Sequence, residues 1–186
     1  MSMRHLHHFF APSPDDLERR VDTALGPLLV RPIRPEDAPA HEAFFAALSP
    51  QDIHFRMFGT MRALSPAQPA GFTQIDYARE MAFIATRPGL DGTPETLGVV
   101  RVAIDPDGIA GEFAIVVRSD LHGHGLGRLL MDHLLDYCRA RGLARVCGVA
   151  LADNVDMHRL ARACGFQLLP AVDGNVEMVL TLTQAG

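Results

Sequence analysis

The chain has 186 residues, 48% of them apolar and 21% charged, and a formal net charge of -5. That is enough apolar side chain for one globular core, and the acidic balance without a basic block argues against a broad nucleic-acid or anionic-membrane surface. The apolar runs fall far short of the roughly 20 residues that span a bilayer, and no signal-peptide core opens the chain, so the expected location is the cytoplasm.

Residues 1–12 read as a loose polar terminus. Ser13-Pro14-Asp15-Asp16 then has the form of an N-cap, a proline at the first helical position and two acids, which predicts a short helix to about Leu25. Leu28 to Ile33 is strand-like. Arg34-Pro35-Glu36-Asp37 opens a helix with Phe44, Phe45 and Leu48 on its apolar face, and Ser49-Pro50-Gln51-Asp52 caps another helical piece. Prolines and small residues from Ala63 to Thr73 predict a loop.

Met81 to Thr86, Thr96 to Ile104 and Glu112 to Arg118 read as successive strands. Asp-Gly pairs at Asp91-Gly92 and Asp107-Gly108 between them predict antiparallel hairpins. Gly125 to Arg141 has Leu126, Leu129, Leu130, Leu134 and Tyr137 on one side of a helix. Arg145 to Leu151 is a strand of buried character, Asn154 to Cys164 a helix ended by Gly165, and Phe166 to Leu169 and Val176 to Leu182 are closing strands. The sum is an α/β chain of the α+β type: a single domain at 28–186 with a mixed, mostly antiparallel sheet flanked by helices, preceded by an extension at 1–27. Cys138, Cys147 and Cys164, odd in number and far apart, read as reduced thiols rather than a disulfide frame or zinc knuckle. No metal site is expected, and the cluster of His5, His7 and His8 belongs to the polar terminus.

The segment His122-Gly123-His124-Gly125-Leu126-Gly127-Arg128 leads from a strand into an amphipathic helix. Glycines let a backbone approach a ligand closely, and the first amides of a helix point at it with the positive end of the macrodipole, so this is the build of a pyrophosphate cradle. A dinucleotide fold is a poor match, because the preceding strands read as antiparallel and no ribose-binding acid is suitably placed; a P-loop lacks its Lys and Ser/Thr. A diphosphate ligand other than a dinucleotide remains.

The strand Ile115-Val116-Val117, the turn His122 to Arg128, Asn154 at a helix start and Gly165-Phe166 after it together resemble the GNAT acyltransferase superfamily. Its usual turn, Gln/Arg-x-x-Gly-x-Gly/Ala, is met at Gly125 and Gly127, with His122 where Gln or Arg is usual and His124 where arginine is frequent. Leu28 to Ile33 with Arg34-Pro35-Glu36-Asp37, Ser49 to Phe58, Asp76 to Ala82 and Gly111-Glu112-Phe113-Ala114 are similar to the GNAT module of bacterial protein lysine acetyltransferases, over about residues 28–182. The resemblance implies acetyl-CoA as cosubstrate. It implies pantetheine pairing with the backbone of Ile115, Val116 and Val117, pyrophosphate held by Gly123, His124, Gly125, Leu126, Gly127 and Arg128 beside His122, and a cofactor contact from Asn154. Asn154 equally suits a plain N-cap. Arg128 is the one permanent cation within the turn, whereas His124 offers a charge that depends on pH.

Acyl transfer to an amine needs a neutral nucleophile, and a lysine of pKa about 10.4 is only about one part in a thousand neutral near pH 7.5. A carboxylate acting directly or through water supplies the missing base. Glu112 is the candidate catalytic residue: it begins the strand that leads into the turn, with Ala114 and Val116 on its face, and the resemblance places a basic glutamate there. Glu80 and Asp76 are runners-up, better suited to substrate binding or ion pairing, and Tyr77 and Arg79 stand where they could shape the acceptor cleft. The tyrosine acid that many relatives carry is Ala161 here, and the strand glutamate of some N-terminal acetyltransferases is Val149. Cys164 reads as core filling. The acceptor implied is a protein lysine; a small amine or amino acid, or a non-catalytic acyl-CoA sensor, are the alternatives, and the residues leave monomer or homodimer open.

Overall fold

The computed structural model describes residues 14–58, 73–89 and 92–183. The polar terminus at 1–12, with His5, His7 and His8, and the proline-rich stretch at 63–72 lie outside them. Eight strands form one sheet in the order β1-β2-β3-β4-β5-β6-β8-β7. They are β1 (Arg19–Thr23), β2 (Gly26–Pro32), β3 (Glu80–Pro88), β4 (Pro94–Ile104), β5 (Ala110–Val117), β6 (Arg145–Leu151), β7 (Gln167–Leu168) and β8 (Asn175–Thr181). All neighbours run antiparallel except β5 and β6.

The helix expected up to Leu25 is absent. Pro14–Leu17 makes only a 3₁₀ turn, after which Arg19–Thr23 pairs with β2 from Arg19↔Val30 to Thr23↔Gly26. The Thr23 hydroxyl closes that hairpin, donating to Gly26 O at 2.8 Å and accepting from Leu25 N at 3.1 Å. A helix-start signal acts over one turn, whereas the ladder with β2 satisfies the backbone along five residues, and the longer-range pairing prevails.

Two layers of helix cover the sheet. One face packs α3 (Leu126–Ala140), whose Leu126, Leu130, Met131, Leu134, Leu135 and Tyr137 are buried with Phe83, Val100, Val102 and Phe113 of β3 to β5. The other packs Phe44 of α1 (Ala38–Ala46), and Leu48 just after it, onto Ile33, Ala82, Ile84, Val99 and Val116. Alternation along β5 therefore sends Val116 toward α1 and Phe113, Ile115 and Val117 toward α3. Helix α2 (Pro50–Phe58) follows α1, and α4 (Val155–Ala163) links β6 to β7. Among the described residues no helix is long and apolar enough to cross a membrane. All three cysteines are free thiols, and burial pushes that of Cys138 up to about 12.

Strands β5 and β6 pair only at Ala110↔Arg145, Gly111↔Val146 and Glu112↔Cys147. Just past that point Phe113 meets Gly148: a Cβ there would stand 2.4 Å from Phe113 Cε1. The side chain of Phe113, a residue 4% exposed whose ring lies tilted against Phe166 at a centroid distance of 5.1 Å, occupies the place of a side chain on β6 where the two strands part.

Candidate active site

Parted strands expose two backbone edges, and the space between them is a cavity of about 420 Å³. Phe113 to Val117 of β5 form one wall and Val149 and Ala150 of β6 the other; Asn154 before α4, Met157 and Leu160 of α4 and Asp52 and Phe55 of α2 also line it. Beyond Glu112 the inner edge of β5 has a strand partner, β4, on one side only. An extended ligand bearing amides can therefore add to it as a strand would. Glu112 stands at the last paired rung and the glycine turn follows Val117, so the two polar ends of the cavity are separated by about 16 Å of extended backbone.

At the far end, a 3₁₀ turn over Ser119–Leu121 delivers the chain to Gly123 and Gly125, both left-handed with φ of 79° and 80°. A Cβ on either would meet nothing within 4 Å, so conformation and not space calls for glycine there. The ladder of α3 starts with Leu129 N donating to Gly125 O at 3.0 Å, which leaves the amides of Leu126, Gly127 and Arg128 without an intrahelical acceptor. No acid occupies the first turn of this 15-residue helix. Aligned amides, a positive helix end and glycines fit a diphosphate.

Side chains of the turn serve it less directly. His122 Nε2 lies 3.0 Å from Val117 O, and His124 Nδ1 lies 3.0 Å from His122 O and 3.3 Å from Leu121 O, so both rings fold back as braces. His122 still lines the cavity along with Gly123, Gly125, Leu126, Gly127 and Arg128. The guanidinium of Arg128 donates to both oxygens of Asp132 at 2.8 Å and to Ala163 O at 2.6 Å, tying α3 to the C-terminal end of α4. A second cation on the lining, Arg159, is exposed and bonded to Asp156 at 3.1 Å. Nothing in a single sequence distinguished it from a solvated helix face.

At the near end Glu112 is half-buried and faces Cys147 across the parallel rung. Burial pushes the Cys147 thiol up, and the neighbouring charges of Glu112, Asp105 and Glu177 add to the effect. Glu80 is held by the buried Arg101 at 3.0 Å, and Asp76 accepts from Ala78 N. The Tyr77 hydroxyl donates to Ile33 O at 2.6 Å, a contact that anchors the segment before β3. Asn154 caps α4, its carboxamide oxygen accepting from Met157 N at 3.1 Å. Ala161 is fully buried in the core, whereas Val149 lies on the cavity wall. Asp52 escaped the sequence reading as a site residue. Its signal, Ser49-Pro50-Gln51-Asp52, announces a helix cap and says nothing of what lies beyond it.

The model of the acetyltransferase (GNAT) family matches residues 52–166. Acetyltransferase PA5475 of Pseudomonas aeruginosa is 36% identical over 127 residues, 68% of each chain. Among solved structures, the GNAT domain of S. lividans PAT superimposes with a TM-score of 0.78 at 25% identity, covering 92% of this chain and all of that one. Mycobacterium smegmatis RimJ in complex with CoA-disulfide gives a TM-score of 0.65 at 19% identity, covering 88% of this chain and 86% of its own.

Proposed function

The chain belongs to the GNAT acetyltransferase family, whose members use acetyl-CoA, and on that premise we propose that it acetylates a protein lysine with Glu112 as general base. The observation that carries the reading is the position of Glu112 at the vertex of the parted strands, one end of a cavity whose other end is an amide-lined anion cradle. The residues present fit the cosubstrate: the free edge at Ile115 to Val117 suits the pantetheine amides, and Gly123 to Arg128 suit the pyrophosphate. When bound, acetyl-CoA supplies the acetyl group as a thioester.

The protein's part is proton handling and placement. An ammonium of pKa about 10.4 costs roughly 4 kcal/mol to deprotonate near pH 7.5, and a carboxylate at the point of attack removes that proton as the bond to carbon forms. The similarity of Asp76 to Ala82 and Gly111 to Ala114 to protein lysine acetyltransferases supports the lysine acceptor. The α4 residues on the cavity wall include no tyrosine to protonate the departing thiolate.

Steady-state acetylation of a panel of lysine-bearing proteins and small amines, followed by CoA release, tests the reading. Glu112→Gln is expected to keep CoA affinity within about threefold and lose at least 100-fold in kcat. Unchanged turnover removes Glu112 from the mechanism. Saturable acetyl-CoA binding with no turnover on any acceptor favours an acyl-CoA sensor, and turnover confined to small amines overturns the lysine assignment.

A further inference from the structure

Asp52 belongs to α2 in sequence, yet it holds a loop 67 residues away. The residue is 8% exposed. Oδ2 accepts from Ser49 N at 3.1 Å and from Ser119 N at 3.3 Å, while Asp52 N donates back to Ser49 Oγ at 3.1 Å. The Ser49 pair is a reciprocal cap of α2 and explains why an acid sits in the first turn. It does not explain the bond to Ser119.

Ser119 opens the 3₁₀ turn that ends at Leu121, two residues before the first left-handed glycine of the cradle. The residues on either side of it are gripped as well: Arg118 donates to Asp120 at 2.6 and 3.0 Å and to Glu95 at 2.6 Å, and Glu95 also accepts from Arg87. Asp52 is the part of this clamp that comes from across the cavity. It lines the cavity beside Phe55, on the helix that closes the side opposite α3.

We propose that Asp52 is a positioning residue, a pin that fixes Ser119 and through it the glycine turn, so that the start of α2 and the anion cradle are held in one register. This rests on the reading of the cavity as the acetyl-CoA site. A cradle works through the direction of its amides, and those directions are set by the two or three residues that enter the turn. Freed from the pin, Ser119 loses an acceptor and the entry to the turn gains conformations that do not bind. Part of the binding free energy then goes to ordering it.

Three variants separate a pin from a plain helix cap. Asp52→Ala is expected to weaken CoA binding, measured by calorimetry, and to raise KM for acetyl-CoA by about tenfold, with kcat changed less than about threefold. Asp52→Asn, whose carboxamide oxygen still accepts from Ser119 N, is expected to recover most of that loss. Ser49→Ala removes the hydroxyl half of the reciprocal cap, the acceptor of Asp52 N, but leaves the Asp52 carboxylate on the backbone amides of residue 49 and Ser119, so its melting temperature falls while CoA affinity stays within about twofold. Amide hydrogen exchange at Ser119 supplies a readout that needs no ligand: slow in the natural chain and in Ser49→Ala, fast in Asp52→Ala. Equal CoA affinity in Asp52→Ala and the natural chain overturns the proposal, as does an equal loss in Ser49→Ala or unchanged exchange at Ser119. Failure of the natural chain to bind CoA refutes the cosubstrate reading instead, and exchange at Ser119 still decides whether the pin exists.

Discussion

Gly148→Ala is the smallest change that tests why the cavity exists. The added methyl would begin 2.4 Å from Phe113 Cε1 and 2.8 Å from Cδ1, the nearer of them about 1 Å inside ordinary carbon contact. Retreat of the ring is blocked by Phe166, whose centroid is 5.1 Å away, and both rings are at most 4% exposed. The strain must be met by moving β6 or by tipping Phe113, which is itself a cavity wall. Overpacking of this kind costs about 1–3 kcal/mol, equivalent to a fall of roughly 3–10 °C in melting temperature for a chain of this size. Thermal unfolding measures the first effect, and calorimetric titration with CoA the second, expected as a several-fold loss of affinity. Adding Phe113→Leu to Gly148→Ala removes the clash and should return more than half of the lost stability, a coupling visible in the double-mutant cycle. A Gly148→Ala protein with unchanged melting temperature and CoA affinity would show that the ring does not hold the strands apart.

Gly125→Ala, at φ 80° with open space around the missing Cβ, is expected to cost about 1–2 kcal/mol by denaturant unfolding and to weaken CoA binding, while Gly125→Asn, better suited to left-handed backbone, loses less. Acid should also weaken the fold through two histidines. Burial holds His133 and His158 below the usual value of 6.5, with Arg19 and Asp136 facing the first and Arg162 and Asp153 the second. His133 Nε2 lies 2.9 Å from Leu17 O, and Nδ1 is buried without a partner among the described residues. Because these native pKa values are depressed, the unfolded chain binds protons first. Stability is full above about pH 6.5 and declines as pH falls from there to the lower native values. Urea midpoints from pH 5 to 8 test this, and His133→Gln should flatten the slope; a midpoint unchanged between pH 7 and 5 contradicts it.

Much of the site was legible because its geometry is local. A strand, two glycines and an amphipathic helix in succession can only form a turn whose amides face outward, and that is where Gly123 to Arg128 lie. Asn154 before an apolar stripe is an N-cap in any fold, and Arg145–Leu151 is a strand over the residues expected. Three features were not legible. The leading helix was read from a genuine start signal that a hairpin with β2 overrode. The side chains of His122, His124 and Arg128 turned to carbonyls and to Asp132, because rotamers follow whichever partners the tertiary fold brings within reach. Asp52 met Ser119 across 67 residues, a distance over which spacing carries no information.

Composition and periodicity alone thus determined the class of the chain and the turn that suits a diphosphate, since each depends on neighbours within one or two turns of backbone, whereas Glu112 was singled out by the family resemblance. The order of the strands, the parting of β5 from β6 and the cavity between Glu112 and the cradle belong to the tertiary structure alone. They arise where Phe113 finds Gly148 and Phe166, and packing between residues far apart in sequence is settled by which surfaces exclude water together.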